Sequence, residues 1–271
     1  MTATGDDGPT PFLVAASLSG AADADWARAA APHVDAALLG GIALDPASRA
    51  AARDLVARGR SEFLPDDPFA WIDRQLAALG DAPVRPGMNL RSATVEPVRQ
   101  AAAICADRGA VCEINAHCRQ PELRAVGCGE SLLRDTNRLA EYVAAAAETG
   151  ATTSVKVRAE VPGVDLVAVA DAVAEAGADW LHVDAMDSEA VVGELTTGAT
   201  GAPADLVVIA NNGVRGRRTV AEYAAYGADA VSVGRPSERP ADLERVAEAV
   251  RAWREGASSD DPTDARREAP R

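Results

Sequence analysis

Four stretches of this chain share one grammar: a helical segment closes on glycine, alanine follows, and a short β-branched run begins. They are RGAVCEIN (108–115), TGATTSVKVR (149–158), AGADWLHVD (176–184) and YGADAVSVG (226–234). Glycine takes the left-handed position that ends a helix at no steric cost, so each stretch predicts helix, cap and strand in that order. The apolar runs are continuous rather than alternating, the pattern of strands buried on both faces of a parallel sheet.

The same reading carries across the chain. It predicts strands at 12–17 (FLVAAS), 35–39 (DAALL), 86–91 (PGMNLR), 110–115, 152–158, 179–184, 206–211 (LVVIAN) and 228–233. Ala-rich amphipathic helices lie between them, including 94–108, 129–148, 164–177 and 239–254. Eight β–α units in about 245 residues match the size of a (β/α)8 barrel. A doubly wound sheet is the competitor, but its G-x-G-x-x-G fingerprint does not follow the first strand. The expected fold is α/β, a single-domain (β/α)8 TIM barrel over 11–255, with tails at 1–10 and 256–271 expected to be disordered.

Aromatic residues make up only 4% of the chain, so the core must come from Ala, Val, Leu and Ile. No apolar run reaches the length of about 18 residues that a membrane span needs, and the N-terminus MTATGDDGPT lacks the regions of a signal peptide. Four cysteines without paired short spacings suit a reducing compartment. A soluble cytoplasmic protein is expected. The formal charge of −14, with arginine in place of lysine almost throughout, suggests a salt-adapted or GC-rich source. Such a chain repels polyanions unless it gathers its arginines locally.

In barrels of this kind the chemistry sits at the C-terminal strand ends. Here those ends carry Asn89 and Arg91, then Glu113, Asn115, His117 and Cys118, then Lys156 and Arg158, then His182 and Asp184. The last two strands run into Asn211-Asn212-Gly213 and Ser232-Val233-Gly234-Arg235. Lys156 is the one lysine among 27 basic residues and lies within an apolar strand. Burying it is costly unless an anion meets it, so it reads either as a lysine snorkelling to solvent or as a compact charge facing a ligand. The loops NNGVRGRR (211–218) and GRPS (234–237) occupy the usual phosphate-binding place, Gly213 and Gly234 allowing close backbone approach and Arg235 adding charge. Ordinary capping turns are the alternative there. Intervals of six, five and nine residues separate Cys105, Cys112, Cys118 and Cys128, none of them a zinc spacing, so no metal site is expected. Cys118 at a charged rim reads as an acid or nucleophile. Pairing of Glu113 and Asp184 with Arg158 in the barrel mouth is the plain structural alternative to a role in ligand binding.

The stretch EINAHCRQPELRAVGCGESLLRD (113–135) resembles the dihydrouridine synthase segment that runs asparagine, two residues, cysteine, a Gly-x-Gly turn and a Leu-Leu helix. SVKVR (154–158) resembles that family's flavin-contacting strand, LHVDA (181–185) its histidine strand, and IANNGV with SVGRPS its phosphate loops. The resemblance covers about 86 to 237 and is looser at SLSGAAD (17–23), where Gly20 and Asp23 fit but a Pro-Met pair is absent. It implies an archaeal-type, dihydrouridine synthase-like FMN protein without the family's helical tRNA-gripping domain. FMN would be held by Asn89, Lys156, His182, Asn212, Gly213, Gly234 and Arg235. Asn115 and Arg119 would bind a uracil ring in tRNA, and Cys118 would protonate C5 as hydride reaches C6. NADPH or NADH would be the reductant. His117 and Arg119 stand where the family has glycine and proline, and Asp184 and Met186 where it tends to carry an arginine.

Other functions share these residues. One is an FMN oxidoreductase of a small molecule such as a free pyrimidine. Another is a flavin-free phosphosugar enzyme built on an Asp/Glu–Lys pair, and a third is a flavin-binding protein without chemistry. Arg119, Arg124, Arg215, Arg217 and Arg218 discriminate: gathered on one rim they make an RNA track, scattered they are solubilising charge.

Overall fold

The computed structural model describes residues 10–197 and 206–257. Strands β1 (Phe12–Ala15), β2 (Ala36–Ala43), β3 (Arg85–Arg91), β4 (Val111–Asn115), β5 (Thr152–Arg158), β6 (Trp180–Asp184), β7 (Val207–Asn211) and β8 (Ala230–Val233) pair in parallel with their sequence neighbours. Strand β8 closes on β1, so the sheet is a closed eight-stranded barrel. Every expected strand is present, and the fold is the (β/α)8 TIM barrel that the repeated Gly-Ala grammar predicts. The glycines of that grammar, Gly109, Gly150, Gly177 and Gly227, all have left-handed φ angles, of 62°, 82°, 99° and 80°.

Helices α1 (Ala24–Ala30), α2 (Pro46–Ala57), α3 (Pro68–Ala77), α4 (Val95–Asp107), α5 (Pro121–Ala125), α6 (Glu130–Leu133), α7 (Thr136–Ala147), α8 (Leu166–Glu175), α9 (Val191–Thr197), α10 (Arg217–Ala225) and α11 (Pro240–Ala257) surround the barrel. Part of the chain's acidity works at their N-termini. The side chains of Asp23, Asp45, Asp67, Asp135 and Asp165 each accept backbone N–H groups that no helical carbonyl reaches. One of these caps corrects the sequence reading. The helix expected over 129–148 is two helices, because Asp135 accepts the Arg138 N–H at 3.2 Å and starts α7 afresh. Residues 1–9 and 258–271, where most of the expected tails fall, lie outside the described residues, and α11 reaches Ala257. No helix among the described residues is long and apolar enough to cross a membrane.

Alternate strand residues point into the barrel or out to the helices. The outward set, including Leu13, Met88, Cys112 and Val155, joins the helix faces in the main core. The inward set begins as an apolar plug of Phe12, Val14, Leu38, Val111, Trp180 and Ile209, with the Phe12 and Trp180 rings 5.4 Å apart. One layer further along, the same inward rows become polar. Asn89, Glu113, Ser154, His182 and Ser232 are all fully buried there.

Candidate active site: a cationic cavity above a buried polar floor

Polar groups sealed inside a barrel must find partners, and these do so across strands. Asn115 Nδ2 donates to Asn89 Oδ1 (2.9 Å), and Asn89 Nδ2 donates to Glu113 Oε1 (2.6 Å). Glu113 Oε2 lies 2.6 Å from His182 Nδ1, and His182 Nε2 lies 2.7 Å from Ser232 Oγ. Asn211 Nδ2 donates to the same hydroxyl at 2.6 Å. The chain of bonds therefore runs unbroken across the barrel from Asn115 to Asn211.

Its proton positions follow from the electrostatics. Burial pushes the Glu113 carboxyl up, but the His182 ring, Lys156 and the Asn89 amide outweigh it and bring its pKa down to about 2. Burial and Lys156 together lower the pKa of His182, against the pull of Glu113 and Asp184. A neutral His182 donates from Nδ1 to the Glu113 carboxylate and accepts the Ser232 hydroxyl proton at Nε2. Each donor in the floor thus meets an acceptor.

Lys156 rises from this floor. It is 3% exposed, and its side chain makes no hydrogen bond or ion pair among the described residues. Burial lowers its pKa, with Glu113 and Asp184 acting against the shift. Lys156 opens onto a cavity of about 800 Å3 at the C-terminal ends of β5 to β8. Arg60, Arg119, Arg215, Arg235 and Arg239 also line it, against only Asp184 and Glu238. Among the described residues, only Arg239 of these arginines has a carboxylate partner, Asp242. The backbone N–H groups of Gly234 and Arg235 make no hydrogen bond among the described residues. In a strongly acidic chain, this mouth is cationic and unsatisfied.

A second cavity of about 210 Å3 adjoins it, sharing Arg60, His117, Arg119 and Asp184 and reaching Arg91, Asn115, Cys118 and Arg158. The Asn115 amide is engaged on both sides, since its Oδ1 accepts the N–H groups of His117 (3.3 Å) and Cys118 (3.1 Å). Cys118 also leans on the small apolar cluster of Leu55, Leu123 and Cys128.

The residues singled out from sequence thus fall into three places. Arg119, Lys156, Asn212, Gly213, Gly234 and Arg235 line the larger cavity, while Asn115, Cys118 and again Arg119 line the smaller. Asn89 and His182 lie beneath both, in the floor. Asn212, at φ 84°, directs its amide to Asp184 (3.0 Å), which fixes the turn into Gly213. Neither Glu113 nor Asp184 pairs with Arg158. Glu113 meets His182 and Asn89, and Asp184 meets Asn212 and, at 3.7 Å, His117. The sequence reading assigned no role to Ser232 or Asn211, nor to Glu113 beyond its pairing. One available signal was spacing: Asn89 and Arg91, Glu113 and Asn115, Lys156 and Arg158, His182 and Asp184 are each two apart, so each pair shares an inward row. Among the described residues no His, Cys, Asp and Glu side chains cluster as a metal site.

Two histidines, His182 in the floor and the half-buried His117 above it, set a pH dependence. Burial, aided by Lys156, brings the pKa of His117 from 6.5 down to about 4 against the pull of Asp184. Below 6.5 the unfolded chain takes up protons that folded His117 and His182 refuse, so stability falls as pH falls through that window. Glu113 extends the loss from 4.5 towards 2. Urea midpoints are expected to decline from pH 6.5 to pH 4. A flat or rising profile would contradict this floor.

Fold and site together define a TIM barrel with a cationic C-terminal mouth. A Methanocaldococcus jannaschii protein described as uncharacterized is 28% identical over 235 residues, covering 82% of this chain and 88% of that one. No family profile matches the sequence. Among solved structures, a putative lyase/mutase from Burkholderia cenocepacia aligns with TM-score 0.57 at 18% identity, over 97% of this chain and 88% of that chain. A 2,3-dimethylmalate lyase, described as a PEP mutase/isocitrate lyase superfamily member, aligns at 0.54 and 15% identity over 92% and 82%. A FabK mutant from Thermotoga maritima aligns at 0.54 and 15% identity over 83% of this chain, which spans only 61% of the FabK chain. At these identities the likeness is one of fold.

Proposed function

We propose that this protein is an FMN-dependent oxidoreductase that reduces the C5=C6 bond of a uracil ring. The observation that carries the reading is Lys156, buried and unpaired, opening onto the same cavity as the Gly213 and Gly234 loops. The donor set suits FMN. Free N–H groups at Gly234 and Arg235, with Arg215 and Arg235 nearby, suit a phosphate, and the Lys156 ammonium suits an electron-rich ring edge. A volume of about 800 Å3 is ample for a cofactor of that size. Bound there, FMN would supply the hydride that reduces the ring, with NADPH or NADH as the reductant that reloads it.

The remaining steps belong to the chain. In the smaller cavity Arg119 orients the ring, Asn115 holds the His117–Cys118 turn in place beside it, and the Cys118 thiol delivers the proton to C5. Cys118→Ala is expected to slow turnover by about a hundredfold or more with FMN affinity unchanged. An unchanged rate would remove Cys118 as the acid.

A small substrate is favoured over tRNA by where the arginines lie. Arg119 and Arg215 reach the mouth, but Arg124 pairs with Glu130 at 3.5 Å, and Arg217 lines a separate hollow between α10 and α11. These four do not share one cavity. The flavin-free phosphosugar reading has one observation of its own, since Asp184 and Lys156 line the same cavity. The test is to load the protein with FMN, reduce it anaerobically with NADPH, and add UMP, uracil or a tRNA transcript. Return of the oxidised flavin band with a uracil compound supports the proposal. A protein that takes up no FMN yet is thermally stabilised by glycerol phosphate supports the phosphosugar enzyme instead.

A further inference from the structure

The smaller cavity is lined by a cation with no partner among the described residues. Arg158 closes β5 and is 8% exposed, and its side chain makes no hydrogen bond or ion pair among the described residues. The ladder places Asp184 beside it on β6, yet the Asp184 carboxylate turns to Asn212 and His117. Arg91, on the same cavity, bonds Glu62 at 2.6 Å and the Ser19 hydroxyl, and its Nε is buried with no partner. Arg60 and Arg119 add two exposed guanidinium groups. The facing carboxylates are Glu62 and Asp184, both already engaged. A buried guanidinium without a counter-charge is strongly destabilising, and its fork of donors matches the oxygens of a carboxylate or phosphate.

We infer that the smaller cavity receives an anionic group of the substrate, a carboxylate or phosphate attached to the uracil-type ring, with Arg158 as its principal partner. The identity of the ring rests on the proposed function above, whereas the anion rests on the cavity itself. Neutral free uracil is then a poor ligand. Cys118, lining the same cavity, lies within reach of a ring anchored in this way.

Calorimetric titration of the purified protein with orotate, UMP and uracil tests the inference. At least one anionic ligand is expected to bind about tenfold or more tightly than uracil, the size of a charge-assisted hydrogen bond. Preference for orotate assigns a carboxylate on the ring, and preference for UMP assigns a phosphate. Arg158→Gln should abolish the preference, and Arg158→Lys should restore part of it, with FMN content unaltered in both. Because the Arg158 side chain has no partner among the described residues, Arg158→Gln should also unfold at no lower temperature than the wild type without ligand. A lowered unfolding temperature would make Arg158 a structural residue and overturn the inference. So would equal affinity for the three ligands, absence of binding by both anions, or a preference that survives Arg158→Gln. A protein that cannot bind FMN but keeps an Arg158-dependent preference for anions would sink the flavin reading and leave this one standing.

Discussion

Replacing Lys156 by methionine is expected to lower the turnover of the FMN-loaded protein by about a hundred- to thousandfold, the usual effect of deleting one preorganised charge at a reacting centre. Lys156 is 3% exposed and its ammonium makes no hydrogen bond or ion pair among the described residues, so the fold loses no such bond with it. Methionine keeps the length of the stem, and Glu113 and Asp184, whose charges act on the ammonium, keep their hydrogen-bond partners, so the urea midpoint should change little. Loss of activity with stability retained is the signature of a ligand-facing cation. Lys156→Arg should not restore the rate, because the wider guanidinium must fit above the crowded floor of Glu113 and His182. Should Lys156→Met lower stability and leave turnover intact, the lysine belongs to the fold.

Glu113→Ala carries the largest expected effect on stability, a loss of about 3–5 kcal/mol by urea unfolding. The change leaves the His182 Nδ1–H and the Asn89 amide without an acceptor at full burial, and it removes a carboxylate that faces Lys156. Glu113→Gln should cost less than half as much. Its carbonyl still accepts from Asn89, and its amide can donate to His182 Nδ1 once the ring proton moves to Nε2 and points at Ser232. Equal losses for the two variants would mean that the charge matters and the hydrogen-bond pattern does not.

The architecture was legible because it is written locally. A left-handed glycine, an alanine and a β-branched run depend on residues adjacent in the chain and mark four strands, and the other four fall where their own apolar runs place them. The break at Asp135 was missed because one carboxylate capping Arg138 overrides an amphipathic pattern that continues through it. The mouth was legible in part, since Lys156, Gly213, Gly234 and Arg235 stand at strand ends and converge on one cavity. The floor was not. Glu113 and His182 are 69 positions apart, and His182 and Ser232 are 50 apart. Their meeting depends on the register of non-adjacent strands around a closed barrel, which no local pattern encodes. For the same reason Asn89, read as facing the cofactor, has its amide engaged on both sides below the cavity.

The central claim is that the cavity above Lys156 holds FMN, and titrating the purified protein with FMN while following flavin fluorescence tests it most directly. Saturable binding is predicted, weakened about tenfold or more when Arg235 and Lys156 are both replaced by methionine. Absence of saturable binding, or binding indifferent to that double replacement, would contradict the account.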